Sequence, residues 1–182
     1  MRWLGIPLLV FVAAGCSGGR QIVPLLNAAG VPLTPPTTAP LEVVTRSTAV
    51  PDPLPVRGSD VEYTDVELAL GHAVASATVP WAENHRTRAS GNGWQLFVEM
   101  TSADAEYDDG RAVFTLGVRA TLRARAGNVY LAQTQAACKQ GGVVPPDRGA
   151  RVMYRCMTEV GHQLANWLDG VDLDAVAPAR SG

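Results

Sequence analysis

Few residues in this chain have side chains suited to chemistry, and three cysteines lead them: Cys16, Cys138 and Cys156. A thiol can be acylated, oxidised to a disulfide, bound to a metal or used as a nucleophile. Metal binding needs further Cys or His ligands nearby, and His72, His85 and His162 are scattered, with none at ligand spacing. His72 is expected on a helix surface. Asp104, Glu106, Asp108 and Asp109 precede Gly110 and faintly suggest calcium. An EF-hand loop, however, wants its glycine one residue earlier and a Glu six residues after it, so a solvated hairpin tip is the simpler reading. No nucleophile elbow, P-loop or dinucleotide fingerprint occurs. No catalytic residue, metal site or cofactor is therefore expected. Arg119, Arg123 and Arg125 share one strand face and could meet anionic head groups; a solvated face with Arg119 paired to Glu99 is preferred.

Cys16 stands apart because of what precedes it. Met1-Arg2-Trp3 is a short positive start, residues 4–14 are apolar apart from Gly5 and Pro7, and Gly15-Cys16-Ser17 follows. That order is the pattern of a secretory signal peptide, over residues 1–15. The run is too short to span a bilayer, which needs roughly 20 apolar residues. Ala13-Ala14-Gly15-Cys16 resembles the bacterial lipobox, with Ala13 in place of the usual leucine. The expectation is cleavage before Cys16 and acylation of its thiol, palmitate being one such chain; the alternative is an ordinary secreted protein with a chance cysteine. Two or more acyl chains anchor stably, each buried CH₂ contributing about 0.8 kcal/mol.

Residues 16–182 are long enough for one domain with a core. A formal net charge of −2 argues against a nucleic-acid partner, whose binding face would be strongly basic. Residues 16–57 contain eight prolines, from Pro24 to Pro55, and read as the lipidated cysteine followed by an extended tether. Within them residues 41–46 are β-prone and could form an edge strand. The folded domain is expected over 58–172, with a disordered tail at 173–182.

Thr64-Asp65-Val66-Glu67 has the spacing of a capping box. Behind it Val66, Leu70, Ala73, Val74 and Ala77 recur at the helical period, Pro80 should kink or restart the helix, and Gly91-Asn92-Gly93 should end it. Two β-runs follow around Asp108-Asp109-Gly110. Phe114, Leu116, Val118, Ala120 and Leu122 alternate with polar residues, as do Trp94, Leu96, Val98 and Met100. Bringing both sets to one face requires Leu96 opposite Leu122, Val98 opposite Ala120 and Glu99 opposite Arg119. A three-residue loop between Tyr107 and Arg111 achieves this, whereas a two-residue Asp109-Gly110 loop would oppose apolar to polar residues. The same test pairs Arg125 with Val129 and places Tyr130, Ala132, Thr134, Ala136 and Cys138 on the core face. Residues 139–149 read as a loop, and a last helix runs from about Ala150 to Asp169. Its apolar stripe is Met153, Cys156, Met157, Val160, Leu164, Trp167 and Leu168, with Gly170 at its C-terminal cap.

The fold class is therefore α+β: an antiparallel sheet of three to four strands, a meander plus a possible edge strand, covered on one face by two helices. Cys138 lies on the core face of the third strand and Cys156 on the stripe of the helix that must cover it. An exported compartment is usually oxidising, so a Cys138–Cys156 disulfide is expected; two buried free thiols are the alternative. Closing a loop of this length stabilises by about 3 kcal/mol in the chain-entropy model.

Lipobox, Pro-rich stretch, edge strand, helix, meander and terminal helix, in that order, resemble the ABC-transport auxiliary lipoprotein family. The resemblance spans roughly residues 41–170 and is strongest from Gly93-Trp94-Gln95-Leu96 to Leu131-Ala132-Gln133-Thr134, then at Asn166-Trp167-Leu168. It implies a small, non-enzymatic envelope protein associated with a transporter that moves lipids between membranes. It has no catalytic signature to transfer. The expected partners are an envelope protein and, through the acyl chains, a membrane facing the periplasm. Ser17 after the cysteine favours the outer membrane, since inner-membrane retention often uses Asp there. The alternative is a regulatory or structural lipoprotein contacting a cell-wall synthase or a secretion channel.

Overall fold

The computed structural model describes residues 19–86 and 93–173. The expected leader, Cys16, the helix stop at Gly91-Asn92 and residues 174–182 of the expected tail lie outside the described residues. In chain order the strands are β1 (Gln21–Pro24), β2 (Leu41–Ser47), β3 (Leu54–Arg57), β4 (Val61–Thr64), β5 (Trp94–Asp108), β6 (Arg111–Ala124) and β7 (Val129–Val143). The helices are α1 (Leu25–Ala29), α2 (Val66–Asn84) and α3 (Ala150–Asp169).

The sheet has seven strands and is mixed, which corrects the expected three- to four-stranded antiparallel sheet. Its order is β1-β4-β3-β5-β6-β7, with β2 also paired to β5. Three pairs are parallel: β1 with β4, β2 with β5 and β3 with β5. Parallel neighbours need a long crossover, and α2 supplies it between β2 or β3 and β5. Strand β5 is long enough to share one edge: Trp94–Met100 pairs with β2, and Ala105 and Glu106 pair with β3.

The supposed tether is thus part of the fold from Gln21 onward. Proline removes a donor without preventing burial. Pro24 ends an edge strand and Pro55 lies in the four-residue β3, while Pro32, Pro35, Pro36, Pro40, Pro51 and Pro53 fall in connections. Leu25, Leu26, Leu41 and Leu54 between them are buried in the common core.

The β5–β6 register has Leu96 opposite Leu122, Val98 opposite Ala120 and Glu99 opposite Arg119. The turn differs from expectation. Asp108 pairs with Arg111 across a two-residue Asp109-Gly110 loop, with φ of 44° and 77°. Positive φ at both central residues is the type I′ hairpin geometry that matches strand twist. Parity is restored by a bulge at Thr101, between the pairs Met100–Val118 and Ser102–Gly117. The core face of β5 switches there from Met100 to Ala103, Ala105 and Tyr107.

The second hairpin repeats the device. Leu122 faces Ala132 and Leu116 faces Cys138, as the pattern requires, but the closing pair is Ala124–Val129 and the shift falls at Leu131. Tyr130 consequently sits opposite Arg123 and is 55% exposed, not in the core. Strand β7 also runs on to Val143, so residues 139–143 are paired strand and not loop.

Helix α2 runs through Pro80 to Asn84. The capping box does not form: Thr64 is the last residue of β4, Asp65 occupies the N-cap at φ 62°, and Glu67 Oε2 accepts from the Ser47 backbone N–H at 2.8 Å. Carboxylate and strand end meet because α2 lies along β2, where Gly71 faces Thr45. Its opposite side meets α3. A Cβ on Gly161 would stand 2.9 Å from the Ala73 carbonyl oxygen and 3.0 Å from Ala77 Cβ, so only glycine permits this crossing. Helix α3 lays Met153, Cys156, Met157, Val160, Leu164 and Leu168 on β6 and β7, with Trp167 half-buried.

Candidate functional site

Cys138 ends the buried parity of β7, and Cys156 lies on the stripe of α3 above it. The two are joined as a disulfide with Cα atoms 5.7 Å apart. The bond fixes α3 over β7 directly after residues 144–149. There Val144 N–H donates to Gly110 O at 3.2 Å and the Tyr63 hydroxyl to Pro146 O at 2.7 Å. Beside this junction a cavity of about 10 Å³ is lined by Tyr63, Tyr107, Ala112, Pro146 and Met153. It has room for about one water, not for an acyl chain.

The face of the sheet opposite the helices carries rows of charge set by register. Arg119 reaches Glu99 at 3.7 Å, Arg125 reaches Glu42 at 3.4 Å, and Arg123 donates to Asn128 Oδ1 at 3.3 Å. All three arginines singled out for head-group contact therefore have partners already, Glu99 and Glu42 on neighbouring strands and Asn128 in the β6–β7 turn. The acidic run is divided by strand alternation. Asp104, Glu106 and Asp108 point outward, while Ala105 is buried and Tyr107 packs against the core. Arg57 of β3 bridges Asp104 at 2.6 Å and Glu106 at 3.5 Å. Exposed pairs of this kind contribute roughly 0–1 kcal/mol each. Among the described residues no three His, Cys, Asp or Glu side chains are grouped to hold a metal.

His72 is buried, at 7% exposure, which corrects its expected place on a helix surface. It lies where α3 covers α2, and its Nδ1 is 2.9 Å from the Tyr154 hydroxyl and 3.4 Å from the Ser76 hydroxyl. Burial pushes the Tyr154 phenol above its ordinary value of 10, against a lowering by its bond with Ser76. At neutral pH the phenol thus keeps its proton. The group ties two helices together through hydroxyls and an imidazole.

At the other end of α2, Trp81 stacks on His85 with ring centroids 4.4 Å apart and meets Trp94 edge-on at 5.4 Å. His85 Nδ1 lies 2.8 Å from the Trp81 carbonyl oxygen. The buried Trp81 indole N–H has no hydrogen-bond partner among the described residues. Sequence periodicity did not single out this cluster, because its members come from the end of a helix and the start of a strand. Cys16, the residue expected to carry covalent chemistry, lies outside the described residues; the structure starts three positions later, at Gly19.

No family model matches this chain, and no curated protein matches it either. Solved structures with a similar arrangement include protein XCC0632 from Xanthomonas campestris, of the DUF330 family. It has a TM-score of 0.46 and 12% identity, over 70% of this chain and 81% of that one. A candidate lipoprotein from Caulobacter crescentus is similar with a TM-score of 0.45 and 10% identity, over 80% of this chain and 98% of that one. Lipoprotein GNA1162 from Neisseria meningitidis is similar with a TM-score of 0.42 and 14% identity, over 69% and 97% respectively.

Proposed function

We propose that this chain is an exported lipoprotein, anchored at the cell envelope through acylated Cys16 and facing the periplasm. Its folded domain acts by docking on a partner in an envelope ABC transport system and carries out no reaction of its own. The observation that carries the anchor is the order of positive start, short apolar run and Ala13-Ala14-Gly15-Cys16. The Cys138–Cys156 pair supports it, since disulfides persist in the oxidising compartments that exported proteins reach. The class of partner rests on the resemblance of the sequence's order of elements to that of the auxiliary lipoproteins. Ser17 favours the outer membrane.

The test is recovery of the full, anchored chain from gently solubilised envelopes after crosslinking in cells. Enrichment of a transporter ATPase and its lipid-binding subunit is the expected result. Enrichment of a cell-wall synthase or a secretion channel would assign the regulatory role instead. Turnover of an ester or peptide substrate, lost on changing one polar residue, would contradict a non-enzymatic domain.

A further inference from the structure

We infer that the domain stands on the bilayer by one defined end of its sheet, the end built from the β3–β4 turn, the β5–β6 tip and the last residue of β7. The inference rests on the anchor proposed above and adds the orientation and the surface that meets the lipid. It follows from a length. Residues 17–20 are all that separate Cys16 from Gln21, the first residue of β1. Five fully extended residues reach at most about 18 Å. A Pro-rich tether running to residue 57 would have allowed any orientation; this leash does not.

The position of Gln21 in the sheet decides which end is held. Its N–H donates to Asp60 O at 2.7 Å, in the turn after β3. Two residues earlier Gly58 lies so close to β5 that a Cβ would stand 2.1 Å from the Tyr107 carbonyl oxygen. Tyr107 is two residues from the Asp109-Gly110 tip, where Asp108 pairs with Arg111 and Arg111 with Val143. One end of the sheet therefore collects Gln21, Asp60, Asp108, Arg111 and Val143. The other end is the turn between Ala124 and Val129. Strand β6 joins the two ends through 14 residues, about 45 Å at the strand rise. A leash less than half that length cannot let the sheet turn over.

Lying flat is the remaining alternative, and the surface chemistry opposes it. The broad outer face carries Glu99–Arg119 and Glu42–Arg125, charges already paired on the sheet. The anchored end instead presents Val143, 86% exposed, and Ile22, 61% exposed, the two most exposed large apolar side chains described. Arg20 and Arg57 at this end are already bridged, to Glu62 and to Asp104 and Glu106, while Arg111, opposite Val143, stands in no ion pair among the described residues and can meet a phosphate group. The partner of this end is therefore a phospholipid surface.

The lipidated full chain is placed in phosphatidylethanolamine–phosphatidylglycerol vesicles carrying a head-group energy acceptor, with a donor dye on Asp108→Cys or on Ala126→Cys. Strong transfer from the first site and loss of transfer at the second is expected. Inserting ten Gly/Ser residues between Gly18 and Gly19 should weaken transfer from the first. Equal transfer from both sites in a chain whose Cys16 is acylated by mass overturns the orientation alone. A chain that is unacylated and does not float with the vesicles overturns the anchor, and the orientation with it. Neutron reflectivity of the unsubstituted lipoprotein on a supported bilayer gives a second reading without new cysteines. A protein layer about 45 Å deep that begins at the head groups is expected; a thin layer, or a water gap wider than about 18 Å, contradicts it.

Discussion

Glu99 faces Arg119 across β5 and β6, carboxylate and guanidinium 3.7 Å apart, and the bulge at Thr101 is what allows them to meet. The two-residue tip alone would have set Glu99 against Ala120 and Met100 against Arg119. The extra residue lets a tight type I′ turn coexist with an apolar face that runs from Trp94 to Met100. Deleting Thr101 is expected to destabilise the domain by more than about 3 kcal/mol, because several core side chains lose their burial together. Glu99→Ala, which removes only an exposed ion pair, should cost less than about 1 kcal/mol. Urea unfolding followed by tryptophan fluorescence compares them, and a deletion as mild as Glu99→Ala would contradict the role given to the bulge.

The disulfide closes a loop of sequence separation 18 between strand and helix. Replacing both Cys138 and Cys156 with alanine is expected to lower stability by about 3 kcal/mol, for a chain that still folds. Thiol titration of the unreduced domain under denaturing conditions should find neither cysteine free. Two reactive thiols there would show that the pair does not form in the cell.

Gly161 sets how closely α3 approaches α2. Gly161→Val should cost about 1–3 kcal/mol, since its side chain must displace the Ala73 carbonyl or Ala77. Gly170→Ala is the control: a Cβ there would meet nothing nearer than the Trp167 carbonyl oxygen at 3.5 Å, at a φ of −91°. Equal losses at the two positions would mean that the crossing has slack.

Tyr154 provides a test of the buried His72 group. Its phenol is raised in the folded state, so its protonated form contributes stability that is complete below the unfolded value of 10 and is lost as pH rises beyond it. Ultraviolet titration should show a late-ionising component that shrinks in Tyr154→Phe. The same variant should cost about 1 kcal/mol near neutral pH by removing the nearer hydrogen-bond partner of His72 Nδ1. A titration curve that Tyr154→Phe leaves unchanged at its late end would show the site open to water.

How far the sequence could be read depended on element length. In α3 the stripe from Met153 to Leu168 repeats for more than four turns, and the helix spans Ala150–Asp169 as the pattern requires. In β6 five alternating apolar residues settle the face, and that face settles the register of both neighbours. The turns escaped because the bulges at Thr101 and Leu131 shift parity inside a strand, and the even-to-odd switch from Met100 to Ala103, Ala105 and Tyr107 is carried by only two small residues and a tyrosine. Strands β1, β3 and β4 escaped because four residues carry too little pattern to stand out among prolines. His72 was misplaced because α2 is covered on two sides, by β2 and by α3, so its buried arc is wider than one apolar stripe. Of the candidate site residues, Cys138 and Cys156 were legible because each sits on a long periodic element. Cys16 was singled out from local order alone and lies outside the described residues, so its state is a matter for covalent chemistry.

That covalent state is the most direct test of the account. The chain is to be produced in a Gram-negative host with its leader, extracted from envelopes, and its N-terminal peptide weighed. The expected mass is that of a peptide beginning at Cys16 and carrying acyl chains, absent after Cys16→Ser, with the variant left unprocessed or released as soluble protein. A wild-type peptide with an unmodified Cys16 thiol, or a mature start elsewhere, would contradict the anchor on which the proposed function depends.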